Sequence, residues 1–185
     1  MSTAISICSA ALLMLGADEI TSFDETSREA KLCASLYPTT RDELLQSYPW
    51  RFALGQATLG QLTSNPLFGY QYAYQLPADT LRVIAVEDGA PYRLYENRLY
   101  CDSPAVRIVY LFRPTEERLP AFFVRTLELK MAEILAVALH EDLNKSRMME
   151  QKARDQMVRA RSTDAQQQTP AEPMFGNFSL VTARG

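Results

Sequence analysis

Histidine, cysteine and paired carboxylates build most active sites, and this chain scatters them. His140 is the single histidine among 185 residues, so a Ser-His-Asp or Cys-His site would have to be assembled around it. It ends an apolar run and is followed by Glu141 and Asp142. The helix dipole alone favours a His at a helix C-terminus, and few residues remain to complete a site. The structural role is the stronger reading. Cys8, Cys33 and Cys101 are odd in number, share no ligand spacing and make no metal cluster with one His. The expectation is reduced thiols in a cytosolic setting. The seven glycines include no phosphate-binding loop or dinucleotide fingerprint. The pairs Asp18-Glu19 and Asp24-Glu25 lie near helix starts, where capping and the dipole account for them. These residues predict no catalytic site, no cofactor and no metal.

Three other groups of residues remain to be explained. The stretch "LLQSYPWRFAL" (44–54) holds the only tryptophan. Pro49 pushes Tyr48 toward extended geometry, and Trp50, Arg51 and Phe52 follow at once. A lone Trp between a cation and other aromatics fits catalysis, a core corner or a subunit contact. Residues 143–161 carry Lys145, Arg147, Lys152, Arg154, Arg159 and Arg161 against Glu150 and Asp155, so six cations less two carboxylates leave +4. These cations could face nucleic acid. The stronger reading is a solvated face with Glu150–Arg154 and Asp155–Arg159 pairs at i,i+4, its Met148, Met149 and Met157 packing against a neighbour. Lastly, Met174, Phe175, Phe178, Leu180 and Val181 stand in a polar terminus that does not need them for solubility. Either they fold back onto this subunit or they fill a partner's groove.

The elements that position these groups follow from periodicity and punctuation. At 47% hydrophobic and 22% charged the chain is ordinary for a globular protein, and a net charge of −3 gives no overall basic field. Residues 3–15 predict a helix closed by Gly16; the run is short and lacks a basic flank, so it reads as a core helix, neither a secretion signal nor a membrane span. Thr26-Ser27-Arg28-Glu29 has capping-box spacing and opens a second helix. Pro38, with a second box at Thr40–Glu43, predicts one helix to residue 47 kinked at Pro38, or two end to end. Seven of the nine tyrosines lie between Tyr70 and Tyr110. There "YQYAYQL" alternates, "LRVIAV" is strand-like, "EDGAP" is a turn, "YRLYENRLYCD" is a hairpin at Glu96-Asn97, and "VRIVYLF" is a buried strand. One small antiparallel sheet is expected. Pro120 opens a helix over 122–139 that is apolar nearly all round and buried on most sides. A polar helix covers 143–166, and the stretch after it loses periodicity and should be mobile.

The run "ICSAALLMLGADEITSFDETSREAKLCASLYPTTRDELLQSYPWRFAL" resembles the N-terminal signature of the podovirus tail tubular protein A family, the head-to-tail adaptors below the portal. The resemblance lies in an Ala/Leu-rich helix ending Leu-Gly-Ala, then Ile20-Thr21-Ser22-Phe23-Asp24. It continues through Tyr37-Pro38, Arg41-Asp42 and Pro49-Trp50-Arg51-Phe52-Ala53. It extends more loosely through "YQLPADTLRV" to the C-terminal helices, and the tail from about 167 matches little. The resemblance implies a ring-forming virion protein without enzymatic activity, dodecameric in this family, with portal on one side and tail nozzle on the other. The genome would pass through its lumen. The implied home is the virion neck, with host cytoplasm before assembly and no membrane.

Pattern and resemblance together predict an α+β chain. N-terminal helices (1–53) and C-terminal helices (114–166) form a helical bundle, with an inserted antiparallel β subdomain (54–113) and an extended C-terminal tail (167–185). Trp50, Arg51 and Phe52 then mark the join between bundle and β subdomain, with Arg51 free to stack or pair. Met174, Phe175, Phe178, Leu180 and Val181 become candidates for docking on the portal or a neighbouring subunit. The cations of 143–161 become candidates for the channel or nucleic acid. The alternative is a DNA-binding regulator using that basic helix, against which stand the acidic balance and the lack of helix-turn-helix spacing.

Overall fold

Helix ends in this chain are set by local chemistry. In the computed structural model, which describes residues 2–167 apart from Asn65 and Asp88, α1 runs Ala4–Leu15. Thr3 and Ser6 cap its N-terminus reciprocally, and Gly16 closes it in the left-handed region at φ 75°. That conformation favours glycine and lets the Gly16 N–H satisfy end carbonyls. Helix α2 spans Arg28–Gln46. Its N-cap is Ser27, whose Oγ accepts the Ala30 N–H, and not Thr26 as the box spacing predicted. Glu25 turns back instead to accept from the Thr21 and Ser22 N–H groups.

Pro38 neither ends nor divides α2. A proline leaves the carbonyl four residues earlier without its helical donor. Pro38 and Ala34 both lie on the exposed side of the helix, so that carbonyl is not stranded in the core. The second predicted box is not used either: Thr40 donates to the Leu36 carbonyl inside the helix at 2.9 Å.

Helix α3, Ala121–His140, is the central element, packed on α1, α2 and α4. Phe123, Leu127, Met131 and Leu135 repeat every four residues and are fully buried. It ends at Glu141 in the left-handed region, φ 53°. Helix α4, Leu143–Ala165, starts at an Asp142 cap. It returns antiparallel along α3, with Ser146 bonded to the Glu133 carbonyl and Gln156 to that of Phe122.

Between α2 and α3 the chain forms two three-stranded antiparallel sheets where one was expected. With β1 Leu54–Thr58, β2 Tyr72–Gln75, β3 Thr80–Val86, β4 Tyr92–Tyr95, β5 Arg98–Cys101 and β6 Arg107–Phe112, the orders are β1-β6-β3 and β2-β5-β4. The fold class is mixed α+β. Strand β1 has too few alternating apolar residues to be read locally, and its partner is β6, with Leu54 opposite Leu111. The β4–β5 hairpin turns at Glu96 and Asn97, both at positive φ (50° and 59°), as a two-residue type I′ turn requires. Strand β6 is half-buried, not the fully buried strand expected: Ile108 and Leu111 face cores, whereas Val109, Tyr110 and Phe112 are partly open.

Two cores result. The helices share one that also takes in Leu111 from β6. The other includes Tyr74, Val83, Val86, Leu99, Cys101 and Ile108, contributed by both sheets. No helix among the described residues is long and apolar enough to cross a membrane. Met174, Phe175, Phe178, Leu180 and Val181 lie outside the described residues.

Candidate functional site: two joints, a basic helix and an aromatic tip

The first joint is at Trp50. Its indole is fully buried, and Nε1 donates to the Leu44 carbonyl at 3.0 Å. The Pro49 break makes this possible, because the chain leaves α2 and turns the ring back under its last turn. Tyr48 and Phe123 meet the ring edge-on at 5.0 and 5.3 Å between centroids. Phe52 and Phe122 complete the cluster at 5.9 and 6.2 Å, the geometries aromatic pairs prefer.

Arg51 does something other than the stacking or pairing expected of it. Its backbone N–H, the start of the 3₁₀ turn Arg51–Ala53, donates to both oxygens of Asp164 at 3.2 and 3.1 Å. Its side-chain Nε is buried without a hydrogen-bond partner among the described residues. The cation that stacks here is Arg161, 5.3 Å above the Tyr48 ring. Burial pushes the Asp164 carboxyl up from its ordinary value, against the pull of the Arg51 N–H and charge. Asp164 lies 113 residues from Arg51 in a polar stretch, and nothing local marks it.

A second joint fastens α2 to the chain leaving β6. Asp42 accepts from Arg113 Nη2 at 2.6 Å and Nε at 3.0 Å, a bidentate pair. Arg41 bridges Asp42 at 3.1 Å and Glu116 at 2.7 Å. The Tyr37 hydroxyl donates to the same Glu116 oxygen at 3.3 Å. Burial alone would raise the Asp42 carboxyl, but the Arg113 and Arg41 guanidiniums hold it below its usual value. The Tyr37 phenol is pushed up, by burial first and then by Glu116.

Helix α4 divides its cations into two rows. Lys145, Lys152 and Arg159 are seven residues apart, as are Arg147, Arg154 and Arg161. At 3.6 residues per turn the rows lie on opposite flanks of the buried Met149, Ala153 and Ala160. Lys145 donates to the Leu15 carbonyl, Arg154 pairs with Glu150, and Arg161 stacks on Tyr48. Arg147, Lys152 and Arg159 make no side-chain hydrogen bond or ion pair among the described residues. The expected Asp155–Arg159 pair is absent, and Asp155 accepts from Gln151 at 3.0 Å. Met149 is buried and Met157 partly so, but Met148 stands 47% exposed, contrary to the packing expected of all three.

The fourth feature is the outer face of the β2-β5-β4 sheet. Ser64 and residues 66–70 border it, and with it they line an open groove of about 600 Å³ that includes Leu67, Phe68, Tyr70, Arg93, Tyr95 and Tyr100. Tyr95 and Tyr100 meet edge-on at 5.8 Å, and Arg93 donates to the Tyr95 hydroxyl at 3.1 Å. Leu67 and Phe68 are 97% and 87% exposed. The loop carries no alternation or cap that would announce such a surface.

Of the residues first considered for chemistry, Cys8 and Cys33 meet, but neither His140 nor a carboxylate pair joins them to complete a site. His140 is exposed at the end of α3. All three cysteines are buried free thiols. The Cys33 contact and burial push the Cys8 thiol up, away from thiolate. Among the described residues no group of three or more His, Cys, Asp and Glu could hold a metal ion. No protein-family model matches this chain, and no curated protein matches it either.

Proposed function

We propose that the chain is a structural virion protein, a head-to-tail adaptor that assembles as a ring between portal and tail nozzle. In the family it resembles the ring is dodecameric, and the genome passes through its lumen. The reading rests on the N-terminal resemblance, and one observation carries it into three dimensions. Tyr37, Arg41 and Asp42, within the resembling stretch, tie α2 to the chain leaving β6, and Trp50 and Phe52, also within it, pack in the helical core where the chain passes from α2 toward β1. Residues placed there set the angle at which the helices present the strands. That is what a spacer between two other proteins has to hold constant.

On this reading α1–α4 form a helical bundle against the portal, and the strands form the β subdomain that meets the nozzle. Met174, Phe175, Phe178, Leu180 and Val181 dock on the portal or a neighbouring subunit. The α4 cations line the channel or meet the passing genome. The protein is not an enzyme and uses no cofactor. It belongs to the virion neck, and to host cytoplasm before assembly.

The test is mass in solution with and without a portal protein. A compact monomer that forms rings only with portal is expected. A chain that stays monomeric beside portal would overturn the reading. The second reading is a DNA-binding regulator using residues 143–161, favoured by Arg147, Lys152 and Arg159, which have no side-chain partner among the described residues. Against it stand the net charge of −3 and the split of the cations into two rows. It calls for a dimer whose DNA affinity falls steeply with salt.

A further inference from the structure

A sheet edge is a template for another strand unless something blocks it. The edge strand β3 is guarded. Strand β3 has two register shifts against β6 and exposes Arg82, and such irregularities twist an edge out of reach. Strand β1 exposes Gln56 and Thr58. Strand β4 also exposes a cation, Arg93, but has no register shift: its pairing with β5 is unbroken from Tyr92–Cys101 to Tyr95–Arg98. In a two-residue hairpin the flanking pair exchanges hydrogen bonds and alternate pairs follow. Arg93 and Tyr95 therefore bond to β5, and the backbone groups of Tyr92 and Leu94 point away from the sheet. Neither makes any other backbone hydrogen bond among the described residues.

The side chains beside this edge select what could join it. Leu94 and Tyr95 are 43% and 52% exposed, and Leu67 and Phe68 line the groove. Tyr, Phe and Arg at an uncovered surface is the composition of protein contact centres. Arg93 has no carboxylate partner among the described residues, and Arg98 has only Glu96 at 4.0 Å across an exposed gap. Two guanidiniums against one carboxylate leave the groove positive.

We propose that the β4 edge and the groove beside it receive an extended, acidic segment of a partner protein by strand addition. Its backbone pairs with Tyr92 and Leu94, its carboxylates meet Arg93 and Arg98, and an apolar side chain enters between Phe68 and Tyr95. The proposal deepens the adaptor reading, because it gives the contact of the β subdomain a chemistry. It is tested on the isolated chain, so its failure leaves ring formation and portal binding to be judged separately.

The probe is a fluorescein-labelled heptapeptide, Glu-Thr-Phe-Thr-Glu-Thr-Glu, which when extended puts its carboxylates and its Phe on one face; it is titrated with the full chain and followed by anisotropy. Saturable binding is expected, weakened about tenfold or more by Arg93→Glu and abolished when Lys replaces Glu in the peptide. Peptides N-methylated on alternate residues, in each of the two phases, separate strand addition from loose charge pairing without altering the protein. One phase should fail to bind. Equal binding of both phases, or no binding of the parent peptide up to about 1 mM, overturns the proposal. Displacement of the peptide by oligothymidylate would also overturn it, assigning the groove to single-stranded nucleic acid.

Discussion

The carboxylate of Asp164, one residue from the end of α4, takes the backbone N–H of Arg51 on both oxygens and so ties that helix to the residue after Trp50. Asp164 is fully buried, so the tie comes with a desolvated charge. Burial holds its carboxyl above the ordinary value. A carboxyl raised on folding contributes stability that is fully present below its unfolded pKa of about 3.9, and that contribution is lost as pH rises through the folded value. Stability of the native chain should therefore fall, relative to Asp164→Asn, as pH is raised from about 4 toward neutrality. Thermal melts of the two proteins across that window check the sign. A constant difference between them would remove Asp164 from the linkage.

Asp42 is expected to behave in the opposite sense. Arg113 and Arg41 hold it below its ordinary value despite its burial. Its contribution is present above the unfolded pKa of about 3.9 and lost as pH falls through the lower folded value. Asp42→Asn should destabilise the chain at pH 7 by roughly 1.5–3 kcal/mol, the range for hydrogen bonds to charged groups. The two proteins should converge in strong acid. Urea titrations at neutral and acid pH read this directly, and a deficit that persists in acid would assign the loss to packing.

Trp50→Ala should cost roughly 3–5 kcal/mol, the range for a buried large aromatic. Trp50→Phe keeps part of the ring contacts, gives up the bond to the Leu44 carbonyl and opens a smaller cavity, so it should cost less than Trp50→Ala but more than the roughly 1 kcal/mol of the lost hydrogen bond alone. Chemical denaturation of both variants tests the order. A normal melting temperature for Trp50→Ala together with failed ring assembly would place Trp50 in a subunit contact.

On the adaptor reading, the β subdomain carries the contact with the distal tail component. Excising residues 86–104 would test this badly, because Val86, Leu99 and Cys101 belong to the core of the two sheets. Leu67→Asp and Phe68→Asp change residues that are almost wholly exposed. They should leave the melting temperature within about 2 °C, since surface changes stay within about 0.5 kcal/mol, keep portal binding and lose nozzle binding. Loss of portal binding by either folded variant would reverse the assignment.

On the adaptor reading, truncation after Gln168 should leave a folded, soluble monomer that does not bind portal. The prediction rests on Met174, Phe175, Phe178, Leu180 and Val181, each worth roughly 1.5–3 kcal/mol when buried in a partner. Portal affinity unchanged by the truncation would end that role.

The features legible in the sequence are those made within one turn, one helix or one hairpin. Gly16 closing α1, the apolar run of α3, the polar helix from residue 143 and the Glu96-Asn97 turn are all set by near neighbours. There backbone geometry and periodicity decide. Pro38 was ambiguous because its cost depends on which side of α2 it occupies. Tertiary packing settled that by placing it on the exposed side.

What only the tertiary structure decided joins residues far apart in the chain. Strand β1 exists because β6 lies opposite it, and the two sheets separate because β5 takes β2 and β4 as neighbours while β6 takes β1 and β3. Asp164 finds Arg51 across 113 residues, and Asp42 finds Arg113 across 71. A carboxylate in a polar helix looks the same in sequence whether it faces water or an N–H. Its role is fixed only when the fold removes the water around one particular donor, and that depends on where two distant segments meet.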